Sequence, residues 1–173
     1  DEIRVDILAS GREQALEWAP PGSPVVWDSV YTPLSGGYFK ARALDDRAGC
    51  ALLLELVRDI PERDFLLAFT VQEEIGLRGA KTAAFALEPD MAVVVDATTA
   101  ADTVGVPSDK QVCRAGGGPV VSFMDGRTLY DRPLYELIRS LADQEGIPNQ
   151  TKTLVAGGND AGAIQSSRGG VRV

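Results

Sequence analysis

The stretch from Asp64 to Ala80, DFLLAFTVQEEIGLRGA, constrains the fold of this chain more than any other. The run Leu66 to Val71 reads as a continuous apolar strand, of the kind found in parallel sheets buried on both faces. It leads into Glu73 and Glu74, and the glycines Gly76 and Gly79 then open a helix. Two adjacent carboxylates at the end of a buried strand cost free energy unless a metal or a proton offsets their repulsion. Asp45 and Asp46 sit at a second element boundary, and Asp96 ends a further apolar run, MAVVVD. Carboxylates at several strand ends are the layout of a metal site on an α/β sheet.

The rest of the chain supports that layout. Ile3 to Leu8 alternates apolar and polar residues, as a half-buried strand does. Ser10 and Glu13 form a capping-box pattern that predicts a helix over Arg12 to Trp18, closed by Pro20, Pro21 and Gly22. Val25 to Trp27 and Tyr38 to Ala43 read as short strands, so the first quarter of the chain reads as a small, mostly β unit. At Leu44 the style changes. Helices are predicted over Ala48 to Val57, Lys81 to Leu87 and Pro133 to Gln144, with a helix start at Asp160 and a turn closed by Pro61. Strands are predicted over Leu66 to Val71, Met91 to Val95, Val120 to Met124 and Thr151 to Val155, with a loop from Ala101 to Gly118. Alternating strands and helices imply an α/β fold, a mostly parallel sheet flanked by helices, over residues 41–173.

Composition excludes several function classes. A net charge of −8 argues against nucleic acid or an anionic membrane as the main partner. The apolar runs are far too short to span a bilayer, and the first residues lack the regions of a signal peptide. Cys50 and Cys113 show no CxxC spacing, which reads as reduced thiols in a cytoplasmic protein.

Taken singly, each candidate has an ordinary explanation. Asp45–Asp46 on its own suits an acidic helix start best, since Asp caps helices and complements the helix dipole, and it also suits a metal-bridging carboxylate. An arbitrary Glu-Glu pair is a solvated loop, and Asp96 alone is a turn residue. The apolar strand before Glu73 and Glu74 puts that pair at the rim of the core. There one carboxylate can bind metal while its neighbour accepts a proton from water. AGGNDAGAI (Ala156 to Ile164) places Gly157, Gly158 and Asp160 between a strand and a helix, without the Lys or the spacing of a phosphate-binding loop. It reads either as a substrate-facing loop offering backbone N–H groups to an oxyanion, or as an Asp-capped helix start.

Together these residues resemble the glutamyl and deblocking aminopeptidases, the tetrahedral aminopeptidases whose relatives were once labelled endoglucanases. The matching segments are ALDDRAGCALLLELV, FTVQEEIGLRGA, VVVDATTAADTVGVP and GGNDAGAI, in the family's order. VDILASGREQALEWAPPGSPVVWD also looks like the end of the family's inserted β domain, which takes part in dimerisation. The resemblance implies a zinc-exopeptidase-like fold, with residues 1–40 as the C-terminal part of the inserted domain and 41–173 as part of the catalytic domain.

The same resemblance implies that the Asp45 carboxylate bridges two divalent ions, Zn²⁺ or Co²⁺, and that a cis peptide joins Asp45 to Asp46. Glu73 is the general base, Glu74 binds one metal and Asp96 the other. Gly157, Gly158 and Asp160 face the substrate. Family members complete each metal shell with one histidine, one upstream of the inserted domain and one shortly downstream of the Gly-Gly-x-Asp-Ala segment. This chain contains no histidine, so the expectation is that it lacks both ligands and is inactive alone. The reaction implied is hydrolysis of the N-terminal bond of short peptides, in a homo-oligomer of dimers that reaches a dodecamer. Alternative readings are a related metal-dependent deacylase or carboxypeptidase-like exopeptidase, a glycosidase working through paired carboxylates, and a noncatalytic fragment.

Overall fold

A computed structural model describes residues 3–59 and 64–173. The chain forms two compact units, one up to Arg42 and one from Ala43 to Val173.

In the first unit, helix α1 (Arg12–Trp18) forms where the pattern predicts it, but its start is closed differently. Gly11 is the cap residue, and Ser10 donates through its N–H and hydroxyl to Oε1 of Gln14 at 2.8 and 2.9 Å. Glu13 takes no part, because the Gln14 amide reaches the same donors one residue later. Strands β1 (Thr32–Pro33) and β2 (Phe39–Lys40) pair antiparallel around a tight turn in which Gly36 and Gly37 have φ of 70° and 81°. The rings of Tyr31 and Phe39 meet at 5.5 Å. The strands predicted at Ile3 to Leu8 and Val25 to Trp27 make no ladder among the described residues. Alternation records which side chains seek cover, and a ladder also needs a neighbouring backbone.

The second unit is mainly helical, with one short pair of parallel strands among the described residues. Helix α2 (Leu44–Asp59) begins with Asp45 and Asp46 outside helical geometry, joined by a cis peptide bond. Asp46 Oδ1 caps the helix by accepting from Gly49 N–H at 2.9 Å. A Cβ at Gly49 would collide with that carboxylate, so the cap requires glycine there. Pro61, expected to close the following turn, lies outside the described residues.

Residues 64–71, which carry no regular secondary structure, lead through a turn into helix α3 (Arg78–Leu87). Gly79 N–H donates to Val71 C=O at 2.9 Å, and Arg78 N–H to Gln72 C=O at 3.2 Å. A Cβ at Gly79 would overlap the Val71 backbone, so the turn of Gln72 to Leu77 closes only because residue 79 is glycine. Strand β3 (Val120–Val121), helix α4 (Arg132–Gln144) and strand β4 (Gln150–Thr151) form a crossover with the two strands parallel. Asp131 caps α4 by accepting from Leu134 N–H at 3.0 Å and is held by Arg172 at the same distance. Helix α5 (Ala161–Gln165) follows the glycine-rich loop.

The buried core lies where α3 meets α5. Ala80 and Ala161 are almost fully enclosed, and Leu77, Ala84, Leu134 and Val173 are buried. Arg168 ties this region together. Its Nε donates to Phe85 C=O at 2.7 Å, its guanidinium lies 4.0 Å over the Phe85 ring, and it pairs with Glu88 at 2.8 Å. Other apolar side chains are left uncovered, among them Leu52, Leu54, Phe65, Leu66, Phe69, Val71 and Val93. The predicted strands are correspondingly short. Residues 65–71 have no ladder, the stretch from Met91 keeps one parallel bridge to Arg172, and Met124 turns back to bridge Leu129 antiparallel. No helix among the described residues is long and apolar enough to cross a membrane.

Candidate active site

Three element boundaries of the second unit bring the acidic residues near one another. Asp45 and Asp46 stand at the start of α2. Glu73 and Glu74 occupy the turn before α3, where Glu73 C=O accepts from Gly76 and Leu77 N–H at 2.9 Å each. Asp96 ends the apolar run from Met91 and accepts from Ala97 N–H at 2.7 Å. Asp46, Glu73 and Asp96 are half-buried, while Asp45 and Glu74 are exposed.

Their electrostatics are those of a crowded anionic site. Burial pushes Asp96 up from 3.8 to about 6, with repulsion from Asp46, Asp45 and Glu73 adding to it against the Ala97 hydrogen bond. Glu73 is raised first by burial and then by Asp160, Glu74, Asp45 and Asp46. Asp46 is raised by burial and by Asp45, against the Gly49 hydrogen bond. Carboxylates that raise one another favour the arrival of a proton or a cation.

A cavity of about 700 Å³ opens beside them, lined in part by Asp45, Asp96, Gly157, Gly158 and Asn159. Gly157 has φ of 66°, and a Cβ at Gly158 would press on the Arg127 side chain. The N–H groups of Gly157 and Gly158 have no acceptor among the described residues. Asp160 sits behind this loop. It is buried, accepts a hydrogen bond from the Thr70 hydroxyl, and keeps its Oδ1 enclosed without a partner.

Sequence reasoning did not find a second polar group at the cavity. Tyr130 donates to Asp125 Oδ2 at 2.7 Å and accepts from Asn159 Nδ2 at 3.1 Å. Asp125 Oδ1 in turn accepts from the N–H groups of Arg127 and Thr128 at 2.8 Å each. Burial and the Asp125 carboxylate push the Tyr130 phenol well above its usual range. Asp125-Gly126 carries the signal of a tight turn, and nothing local in it announces a cavity. Cys50 and Cys113 are both free thiols, and Cys113 is buried.

The acidic residues fit a divalent cation in charge and donor chemistry, being oxygen ligands short of countercharge. They do not form a closed shell. Among the described residues no three His, Cys, Asp or Glu side chains converge to a coordination group.

Residues 1–173 match the sequence profile of the M42 glutamyl aminopeptidases. A protein of Acetivibrio thermocellus named as an aminopeptidase is 38% identical over 174 residues, covering 98% of this chain and 51% of its own length. A solved aminopeptidase of the archaeon Desulfurococcus kamchatkensis aligns at 33% identity with a TM-score of 0.82, over 96% of this chain and 48% of its own. A peptidase of Pyrococcus horikoshii described as assembling into a tetrahedron or a large octahedral shell aligns at 34% identity with a TM-score of 0.71, over 94% and 49%. The chain thus spans about half the length of the relatives it matches.

Proposed function

Because this chain belongs to the M42 glutamyl aminopeptidase family, we propose that it carries part of the active site of a metal-dependent aminopeptidase. The reaction is removal of N-terminal residues from short peptides. The observation that supports this reading best is the gathering of Asp45, Asp46, Glu73 and Asp96, from three separate elements, within electrostatic reach of one another.

In this reading Asp45, Glu74 and Asp96 would hold two divalent ions, Zn²⁺ or Co²⁺. Such ions supply Lewis acidity to the scissile carbonyl and lower the pKa of water. Glu73 is the general base. Its raised proton affinity suits it to take a proton from the attacking water and hand it to the leaving amine. Asp46 holds the start of α2 through Gly49 and so fixes where Asp45 stands. The unpaired N–H groups of Gly157 and Gly158 offer hydrogen bonds to the substrate. Asp160 anchors that loop, being tied through Thr70 to the segment that leads to Glu73.

We further propose that residues 64–71, the stretch from Met91, β3 and β4 belong to one mostly parallel sheet flanked by helices. The parallel pairing of β3 with β4 and of Met91 with Arg172 supports this. The first unit is proposed as part of a small β domain used for dimerisation, and the active protein as a homo-oligomer. Turnover is not expected from the 173-residue chain by itself, which supplies no imidazole ligand.

Calorimetric titration with Zn²⁺ or Co²⁺ tests the reading. Saturable binding is expected, weakened at least tenfold by Asp96→Asn or Asp45→Asn and little changed by Glu73→Gln. Binding indifferent to all three substitutions, or turnover of an aminoacyl-nitroanilide that survives chelation, would refute it.

A further inference from the structure

We propose that Tyr130 is a positioning residue. Its hydroxyl, oriented by the buried Asp125 carboxylate and acting through Asn159, holds the Gly157–Gly158 loop at the cavity with the loop's N–H groups free. This role rests on the reading of that loop as substrate-facing, and it gives Asp125, Tyr130 and Asn159 a part in the site. One turn meets the loop at three successive residues. Gly126 N–H donates to Gly157 C=O at 2.9 Å, and a Cβ at Gly126 would come 2.7 Å from that same oxygen. The stem of Arg127 lies against Gly158, where a Cβ would come 2.9 Å from its Cδ. Tyr130 reaches Asn159.

The hydrogen bonds of this group run in one direction. Asp125 Oδ1 is taken by the N–H groups of Arg127 and Thr128 at 2.8 Å each, which fixes the carboxylate. A carboxylate only accepts, so the phenol donates its single proton to Asp125 Oδ2 at 2.7 Å, while Asn159 Oδ1 lies further off at 3.4 Å. With that proton committed, the Tyr130 oxygen accepts from Asn159 Nδ2 at 3.1 Å. Asn159 Oδ1 is thereby turned toward Ala161 N–H, which donates to it at 2.9 Å. The order of donors and acceptors, from Asp125 to the start of α5, is set by one buried charge.

Polarity, and not shape alone, is what this arrangement needs. Asp125→Asn keeps the shape but faces the phenol with an amide donor. Either the Tyr130 proton or Ala161 N–H then loses its acceptor. Asn159→Asp leaves two carboxylates competing for one phenolic proton. The two exchanges together restore a complete order that runs the other way. The amide introduced by Asp125→Asn donates to Tyr130, Tyr130 donates to the carboxylate introduced by Asn159→Asp, and Ala161 N–H keeps an acceptor. A buried polar group left without a partner costs more than the hydrogen bond it gives up, so each single exchange loosens the loop and the pair holds it.

The test follows amide exchange at Gly126 and Ala161 by NMR in the full 173-residue chain, with the amides of α3 as reference. Tyr130→Phe, Asp125→Asn and Asn159→Asp are each expected to speed exchange at Gly126, Ala161 or both by about tenfold, the worth of one lost hydrogen bond. The Gly157 and Gly158 resonances should shift with them, while α3 keeps its rates. The double variant Asp125→Asn/Asn159→Asp is expected to return both rates to within about twofold of the parent, as coupled neighbours do. Parent-like exchange in Tyr130→Phe, a double variant no slower than its singles, or faster exchange spread equally over α3 would each overturn the role. Exchange reports on the loop whether or not metal or peptide binds, so a failed metal titration would count against the active-site reading alone.

Discussion

At the scale of single residues, the acidic site behaves as a set of groups that hold protons too well. Asp96 titrates at about 6, above its ordinary 3.8, because it is partly buried among other carboxylates. A group whose folded pKa is raised contributes stability below its unfolded value and loses it as pH rises through the folded one. With metal chelated, the chain is therefore expected to melt at a higher temperature at pH 5 than at pH 7. Asp96→Asn should flatten that difference in thermal denaturation, and Glu73 and Asp46 act in the same direction. Gly79→Ala tests the turn that carries Glu73. The added methyl meets the Val71 backbone, so a loss of about 1–3 kcal/mol is expected by denaturant titration. Glu73, Glu74 and Asp96 were legible as candidates because each ends or follows an apolar run. Asp125 and Tyr130 were not, since their partnership with Asn159 joins segments far apart in sequence.

At the scale of elements, helices were more legible than strands. α1 and the end of α3 fall where the pattern puts them, and α4 starts one residue earlier, at Arg132. A helix satisfies its backbone within its own segment, so local sequence suffices to locate it. The run Leu66 to Val71 announces a need for burial, yet whether it becomes a ladder depends on residues elsewhere, and here it forms no ladder and Leu66, Phe69 and Val71 stay exposed. The fastening of α3 to the segment after α5 rests on Arg168, which contacts the Phe85 carbonyl, the Phe85 ring and Glu88. Arg168→Ala is expected to cost about 1–2 kcal/mol. Arg168→Lys should recover little of it, because a point ammonium cannot stack and donate sideways together. Urea unfolding of the three proteins provides the comparison.

At the scale of the whole molecule, burial is uneven. None of the described residues of the first unit is buried, whereas the second has its core at α3 and α5. Amides of the first unit are accordingly expected to exchange with solvent well before those of α3 in native-state hydrogen exchange. The uncovered apolar residues of α2 and of Phe65 to Val71 lead to a further expectation. A dye such as ANS should bind the native chain, and charged substitutions at Leu54 and Leu66 should reduce the signal. An unchanged signal would place the dye elsewhere.

The bridge between Met91 and Arg172 also bears on how the chain is made. Its partners are 81 residues apart (172 − 91), and the Thr70–Asp160 hydrogen bond spans 90. At about 5–20 residues per second on the ribosome, Met91 waits roughly 4–16 s for its neighbour to be synthesised. During that interval the nascent chain holds α3 without its partner α5 and a row of valines with nothing to pair against. Early helices and late strands make this unit a client for whatever shields unfinished chains at the tunnel exit.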